Sequence, residues 1–170
     1  MSTDRPPGDA GPGADDPEAE LARLAEELAA GIDEAVAGWV VRCVEARMID
    51  WSGEVPDEVR RQAEVAGEEA RAEVAPQVTG LLRTDIDDQQ APPLSILRDA
   101  VRHPTRVLAA AGVPPIVRDE VEERLLPDDH YGLAPANFAD VDPRLHEPGL
   151  AWGAAKAFVH LARRRAEGKR

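Results

Sequence analysis

Three groups of residues have types and spacings that chemistry uses. Arg98, Arg102 and Arg106 recur every four residues. On a helix that spacing stacks three guanidiniums into one basic stripe, with Leu94, Leu97, Val101 and Leu108 taking the opposite side. Guanidiniums grip carboxylates and phosphates through paired N–H donors, so the stripe reads as a partner-binding surface. The plainer alternative is a solvated face salt-bridged to the acidic first half, where residues 21–92 hold sixteen acids against seven arginines.

The second group is Asp128, Asp129, His130 and Tyr131. Two carboxylates beside an imidazole have the donor set of a metal site or of acid–base catalysis. A metal would need ligands from a second element, and Asp119, Glu123 and His160 are the candidates. No HExxH, CxxC or paired ExxH motif is present. Aspartates after a proline also cap turns. The third group is Lys156 and His160, one helical turn apart, with Trp152 a turn earlier. A lysine on an apolar helix either lowers its pKa and serves as nucleophile or base, or reaches out to water or an acid such as Asp140 or Asp142.

Charge and motif content narrow the classes. The net charge of −13 opposes a broad phosphate-binding surface. The basic end, with Arg163, Arg164, Arg165, Lys169 and Arg170, keeps a nucleic-acid reading open when joined to the arginine stripe. There is no GxGxxG, Walker or GxSxG motif, so no cofactor is expected. Asp85, Asp87 and Asp88 lack the glycine and closing glutamate of an EF-hand loop. Cys43 is the one cysteine; it excludes an internal disulfide and sits in an apolar run as a small core residue. No apolar stretch spans a membrane, and MSTDRPPGDAGPGADDPEAE has neither the basic nor the apolar region of a signal peptide. A cytoplasmic location is the expectation.

The elements that must position these groups are helical. Residues 1–17 are an acidic Pro/Gly tail too poor in apolar side chains to fold. Leu21, Leu24, Leu28, Ile32, Ala35 and Trp39 lie on one face of a first helix, about 17–50, which is apolar nearly all round from Ala35 to Val44. Gly31 and Gly38 mark a close approach or a bend. Val59, Ala63, Ala66, Ala70, Val74, Val78 and Leu81 make the face of a second helix, about 55–82, kinked at Pro76. Shorter helices follow: one from Pro92-Pro93 to Gly112, divided or kinked at Pro104, and one from Pro114-Pro115 to Pro127. Residues 127–149 form a long irregular segment, pinned to the core by Tyr131 and Phe138 and with a short turn of helix at 142–146. The last helix, from Pro148 to about Ala166, is apolar nearly all round and is expected to be central.

The expected fold is all-α: a five- to six-helix bundle in which a long N-terminal helical hairpin is packed by shorter, proline-punctuated helices. It forms one domain over 18–166, with a basic tail at 167–170. The segments LSILRDAVRHPTRVLAAAGVPPIVRDE and PDDHYGLAPANFADVDPRLHEPGLAWGAAKAFVHLARRR, about 93–165, resemble a family of uncharacterised small helical proteins from actinobacteria. That family has no assigned activity, so the resemblance implies a bacterial setting and no functional residues. The favoured reading is a non-enzymatic interaction or regulatory protein. It would bind another protein through Arg98, Arg102 and Arg106 and through the 127–149 loop with His130 and Tyr131. The alternatives are a metal-dependent or acid–base enzyme using Asp128, Asp129 and His130, and a nucleic-acid-associated factor.

Overall fold

The computed structural model describes residues 16–84 and 92–168. Most of the acidic tail, the Asp85–Asp87–Asp88 loop, and Lys169 with Arg170 lie outside the described residues. The described chain is an all-α bundle with the order α1 (Pro17–Ser52), α2 (Asp57–Arg83), α3 (Pro93–Asp99), α4 (Arg102–Ala110), α5 (Glu120–Leu125), α6 (Phe138–Val141), a 3₁₀ turn (Pro143–Leu145) and α7 (His146–Glu167).

The long hairpin is present as expected. Asp16 caps α1 by accepting from the Glu18 amide, and Pro17 stands in the first turn, where its missing N–H costs nothing. Gly53, at φ 79°, ends α1 in the left-handed conformation. Arg60–Glu45, Arg71–Asp33 and Arg83–Glu26 pair in reversed order along α1 and α2, which makes the two helices antiparallel. Between these pairs the helices meet through small residues: Ala63, Ala66, Gly67 and Ala70 of α2 are all buried. A Cβ built on Gly67 would lie 2.6 Å from the Ala37 carbonyl oxygen. Gly67 is therefore the point of backbone contact. Gly31 is the close approach its position suggests, since an added Cβ would lie 2.7 Å from Cδ2 of the buried Leu145, whereas at Gly38 it would meet the helix's own Arg42 at 3.1 Å.

Leu28, Ile32, Val36, Val40, Val44 and Met48 give α1 a continuous buried face. Two layers cover it. α4 packs on both long helices, while α7 runs back along α1. Leu145 at the head of α7 lies against Gly31, and Arg163 near its end pairs with Glu18 at 3.0 Å. The C-terminal half of α1 is covered by the 129–141 segment.

Three expectations need correction. The break in the third helix comes at Ala100–Val101, ahead of Pro104. Proline cannot donate to the carbonyl four residues back and its ring clashes there, so the interruption falls upstream and Pro104 sits harmlessly in the first turn of α4. Pro114-Pro115 opens an extended stretch, with helix only from Glu120, where Asp119 accepts from the Val121 and Glu122 amides. Consecutive prolines push the preceding residue out of the helical region, and the capping aspartate sets the later start. Finally, α7 is peripheral: only Trp152 and Val159 are buried along it. Its apolar outer face looks to solvent.

Gly67→Ala is expected to lower stability by about 1–3 kcal/mol, outweighing the ~1 kcal/mol that alanine contributes inside a helix. Gly80→Ala, where a new Cβ meets nothing within 4 Å, should raise stability by about 0.5–1 kcal/mol. Urea midpoints of the two variants should move in opposite directions; shifts of the same sign would refute this account of the crossing.

Candidate functional site

The arginines of the stripe are engaged by the bundle itself. Arg102 pairs with Glu73 and Arg106 with Glu69, both acids on α2. Arg98 turns to the loop, its Nε donating to the Pro135 carbonyl at 2.9 Å. The stripe thus bridges α4 to α2 and α3 to the 127–149 segment. Its neighbour His103 is buried, with Nε2 3.0 Å from Glu73 Oε2. Burial, reinforced by the nearby Arg102 and Arg106 charges, lowers the His103 pKa and favours the neutral ring.

Asp128, Asp129 and His130 do not converge. Asp128 and His130 are exposed, whereas Asp129 is buried and accepts from the Leu133 and Ala134 amides at 2.7 and 3.0 Å. Asp119 caps α5. Among the described residues no group of three or more His, Cys, Asp or Glu side chains is placed to hold a metal ion. Lys156 stacks over the Trp152 ring at 5.1 Å, and burial lowers its pKa. Cys43 is partly buried against the core, and desolvation pushes its thiol up to about 12 and leaves it protonated. No helix of the described residues is long and apolar enough to cross a membrane.

What the structure does build is a pinned segment with an outward arm. Arg42 of α1 donates to the Val141 carbonyl at 2.7 Å, and Arg47 of α1 donates twice to the Tyr131 carbonyl. With Arg98 from α3, three guanidiniums hold the irregular segment from two sides. Tyr131 is buried and its hydroxyl donates to the Val113 carbonyl; Phe138 meets Trp152 edge-on at 6.5 Å. These two aromatics pin the segment, as its composition suggests. The Val141–Leu145 end is fixed by Asp142, which binds the Arg144 side chain and amide. Those bonds hold its carboxyl at about 2.

The arm is residues 114–127. Its root is set by one backbone bond, Ile116 N–H to the His130 carbonyl at 2.8 Å, and by a buried ion pair, Arg118 Nη2 to Asp129 Oδ1 at 3.8 Å. The two side chains are only 7% and 4% exposed. Arg118 Nη1 donates to the Leu126 carbonyl at 2.7 Å, closing the base of the arm on itself. Burying a guanidinium and a carboxylate costs several kcal/mol in desolvation per ion. Here that cost fixes an element that adds nothing to the core, since no residue of α5 is buried. Instead, Val117, Val121 and Leu125 stand 96%, 63% and 72% exposed. Asp119, Glu120, Glu122 and Glu123 surround them with negative charge.

Sequence reasoning missed Arg42, Arg47 and Arg118 as organising residues. The available signal was Arg42 standing in the otherwise apolar run of α1, where an arginine needs a carbonyl or acid opposite. Compared with family models, curated proteins and solved structures, the chain matches none.

Asp129→Ala would strand the Arg118 charge and remove the acceptor for two amides. Amide exchange at Ile116, Leu133 and Ala134 should accelerate tenfold or more, about 1.4 kcal/mol of local stability, with α1 and α2 amides unaffected; uniform exchange rates would sink this picture of the arm's root. Acid sensitivity should come in two windows. Below about pH 6.5 the unfolded chain protonates His103 while the folded chain resists, so stability falls with pH there. The Asp142 contribution is present above its ordinary pKa of 3.8 and is lost as pH drops toward 2. His103→Gln should flatten the first window only and Asp142→Asn the second only, in chemical denaturation repeated across pH.

Proposed function

We propose that this protein is a non-enzymatic interaction module that presents the 114–127 arm, with the adjoining start of the 127–149 loop, to another protein. The observation that carries the reading is the pairing of opposites at the arm: a buried Arg118–Asp129 ion pair beneath, and three aliphatic side chains displayed above. An exposed Val or Leu gains about 1.5–3 kcal/mol when a partner covers it fully, so three of them on one short arm are enough to anchor a specific complex. A ridge held on a fixed root also avoids much of the ordering cost that a loose loop would incur on binding.

The charge around the ridge describes the partner. Four carboxylates flank Val121 and Leu125, and the one exposed arginine, Arg124, is itself beside Glu120. The complementary surface is an apolar groove with a basic rim. His130 is exposed at the foot of the arm and falls within reach of such a rim. The arginine stripe serves this reading indirectly, because Arg98 holds the Pro135 end of the loop in place.

A photo-crosslinking residue at position 121 of the full chain, expressed in cells, should give a discrete protein adduct that the same residue at exposed Gln77 does not. The captured protein, purified and titrated against the chain, should bind at least tenfold more weakly to Val121→Asp and to Leu125→Asp, a loss of about 1.4 kcal/mol or more. Both positions are exposed, so melting temperatures should be unchanged. Unaltered affinity in both variants, or the same adducts from positions 121 and 77, would overturn the assignment.

A further inference from the structure

The outer face of α7 carries a second exposed apolar surface, on a different element from the arm. The helix leans on α1, with Trp152 and Val159 the buried residues along it. On the opposite side Leu150, Phe158 and Leu161 are each more than half exposed. Ala151, Ala154 and Ala157 lie among them, also exposed. At 100° per residue, Leu150, Ala154, Ala157 and Leu161 form one stripe with alternating spacings of four and three, which is the seam of a two-helix coiled coil. Phe158 borders that stripe. The seam has charged ends of opposite sign: Glu147 in the first turn, and Arg164 and Arg165 in the last.

We propose that this face is a homodimer seam, on which α7 of a second copy of the chain packs antiparallel about a two-fold axis near position 156. A parallel pair would set Glu147 against Glu147 and Arg165 against Arg165, a repulsion at both ends. The antiparallel pair sets Glu147 of each copy opposite Arg165 of the other. The same register places Phe158 on Ala154 of the second copy, and Leu161 against Leu150 and Ala151. Each large side chain thus meets at least one small one, which allows the helices to approach closely and interdigitate at the shallow crossing angle of coiled coils. Because the axis repeats every contact, one patch supplies both halves of the interface. A cluster of three large apolar side chains on one face of a 22-residue helix, about 33 Å long, is otherwise a standing hazard for the chain. A second copy is the partner whose charges and side-chain sizes match it in a single register.

A single helix pair is a small interface, at or below the lower size class of specific complexes, so association is expected in the micromolar range. The chain's overall negative charge opposes it at low ionic strength, and about 0.15 M salt screens that repulsion beyond roughly 8 Å while leaving direct pairs largely intact.

The test is sedimentation equilibrium of the full chain from about 5 to 200 μM in such a buffer, with circular dichroism confirming helix content in each variant. Wild type should rise toward twice its 18.3 kDa mass. Phe158→Asp and Ala154→Arg should each remain monomeric over that range. Glu147→Arg and Arg165→Glu singly should weaken association severalfold, and Glu147→Arg/Arg165→Glu together should restore it. A wild-type monomer at every concentration overturns the proposal. So does a dimer that Phe158→Asp leaves intact, since it would use another surface. Failure of the double charge swap to recover the mass overturns the antiparallel register.

Discussion

The close crossing of α1 and α2 at Gly67 and Ala37 is the constraint from which the rest of the architecture follows. A glycine in mid-helix costs about 1 kcal/mol relative to alanine, and here it lets one backbone rest on the other, 2.6 Å from where any Cβ would begin. With Ala63, Ala66 and Ala70 beside it, the α2 face is almost flat. Long, flat-faced helices in close contact bury little side-chain volume per residue. The larger side chains of α1 must therefore find cover elsewhere. That need is met by α4, lying across the hairpin, and by α7 and the 129–141 segment, which divide the length of α1 between them.

The irregular segment is the less obvious solution. A loop over a core must satisfy its backbone carbonyls, because unpaired buried polar groups are expensive. Arg42, Arg47 and Arg98 do this from two helices, reaching the Val141, Tyr131 and Pro135 carbonyls. Asp129, Asp140 and Asp142 satisfy the complementary amides, at Leu133 and Ala134, at Ala136 and Asn137, and at Arg144. Charged side chains of both signs thus stand in for a helix or strand ladder over a stretch whose prolines forbid one. This explains why the Asp-Asp-His sequence, which has the donors of a metal site, assembles no such site: its central carboxylate is committed to backbone amides and to Arg118.

The hairpin was legible because its signals are local: threefold and fourfold apolar spacing, an Asp-Pro start, and a glycine stop. Pinning by Tyr131 and Phe138 was legible because aromatics are scarce in this chain and these two fall where a core-poor segment needs them. What could not be read depends on pairing between distant residues. Nothing in the neighbourhood of Arg118 says that its counter-charge is eleven residues on, and nothing in the α7 sequence says which of its two apolar sides meets α1. A helix that is apolar nearly all round reads as central by periodicity. The same pattern arises when one side packs internally and the other is left for something outside the chain. The arm shows the converse: the spacing of Val117, Val121 and Leu125 is also that of a core face, and only burial separates a core face from a displayed one.

Charge placement unites these observations. Arg102, Arg106 and Arg163 pair with acids of α1 and α2, and Arg98 reaches a loop carbonyl, so charge contributed from both halves of the chain helps to close the bundle. That use of charge gives Glu69 and Glu73 partners inside the molecule, and Arg102 and Arg106 with them. Among the described residues, the arm and the outer side of α7 each keep three large apolar side chains more than half exposed. Each is bounded by charge that discriminates among partners: a mainly acidic border around the arm, with Arg124 its one exposed cation, which favours a basic-rimmed groove, and ends of opposite sign on α7, which favour a reversed copy of itself. Apolar area supplies most of the driving force in association and charge selects the occupant. On that reasoning the two proposed contacts are independent, because they use different elements and different charge.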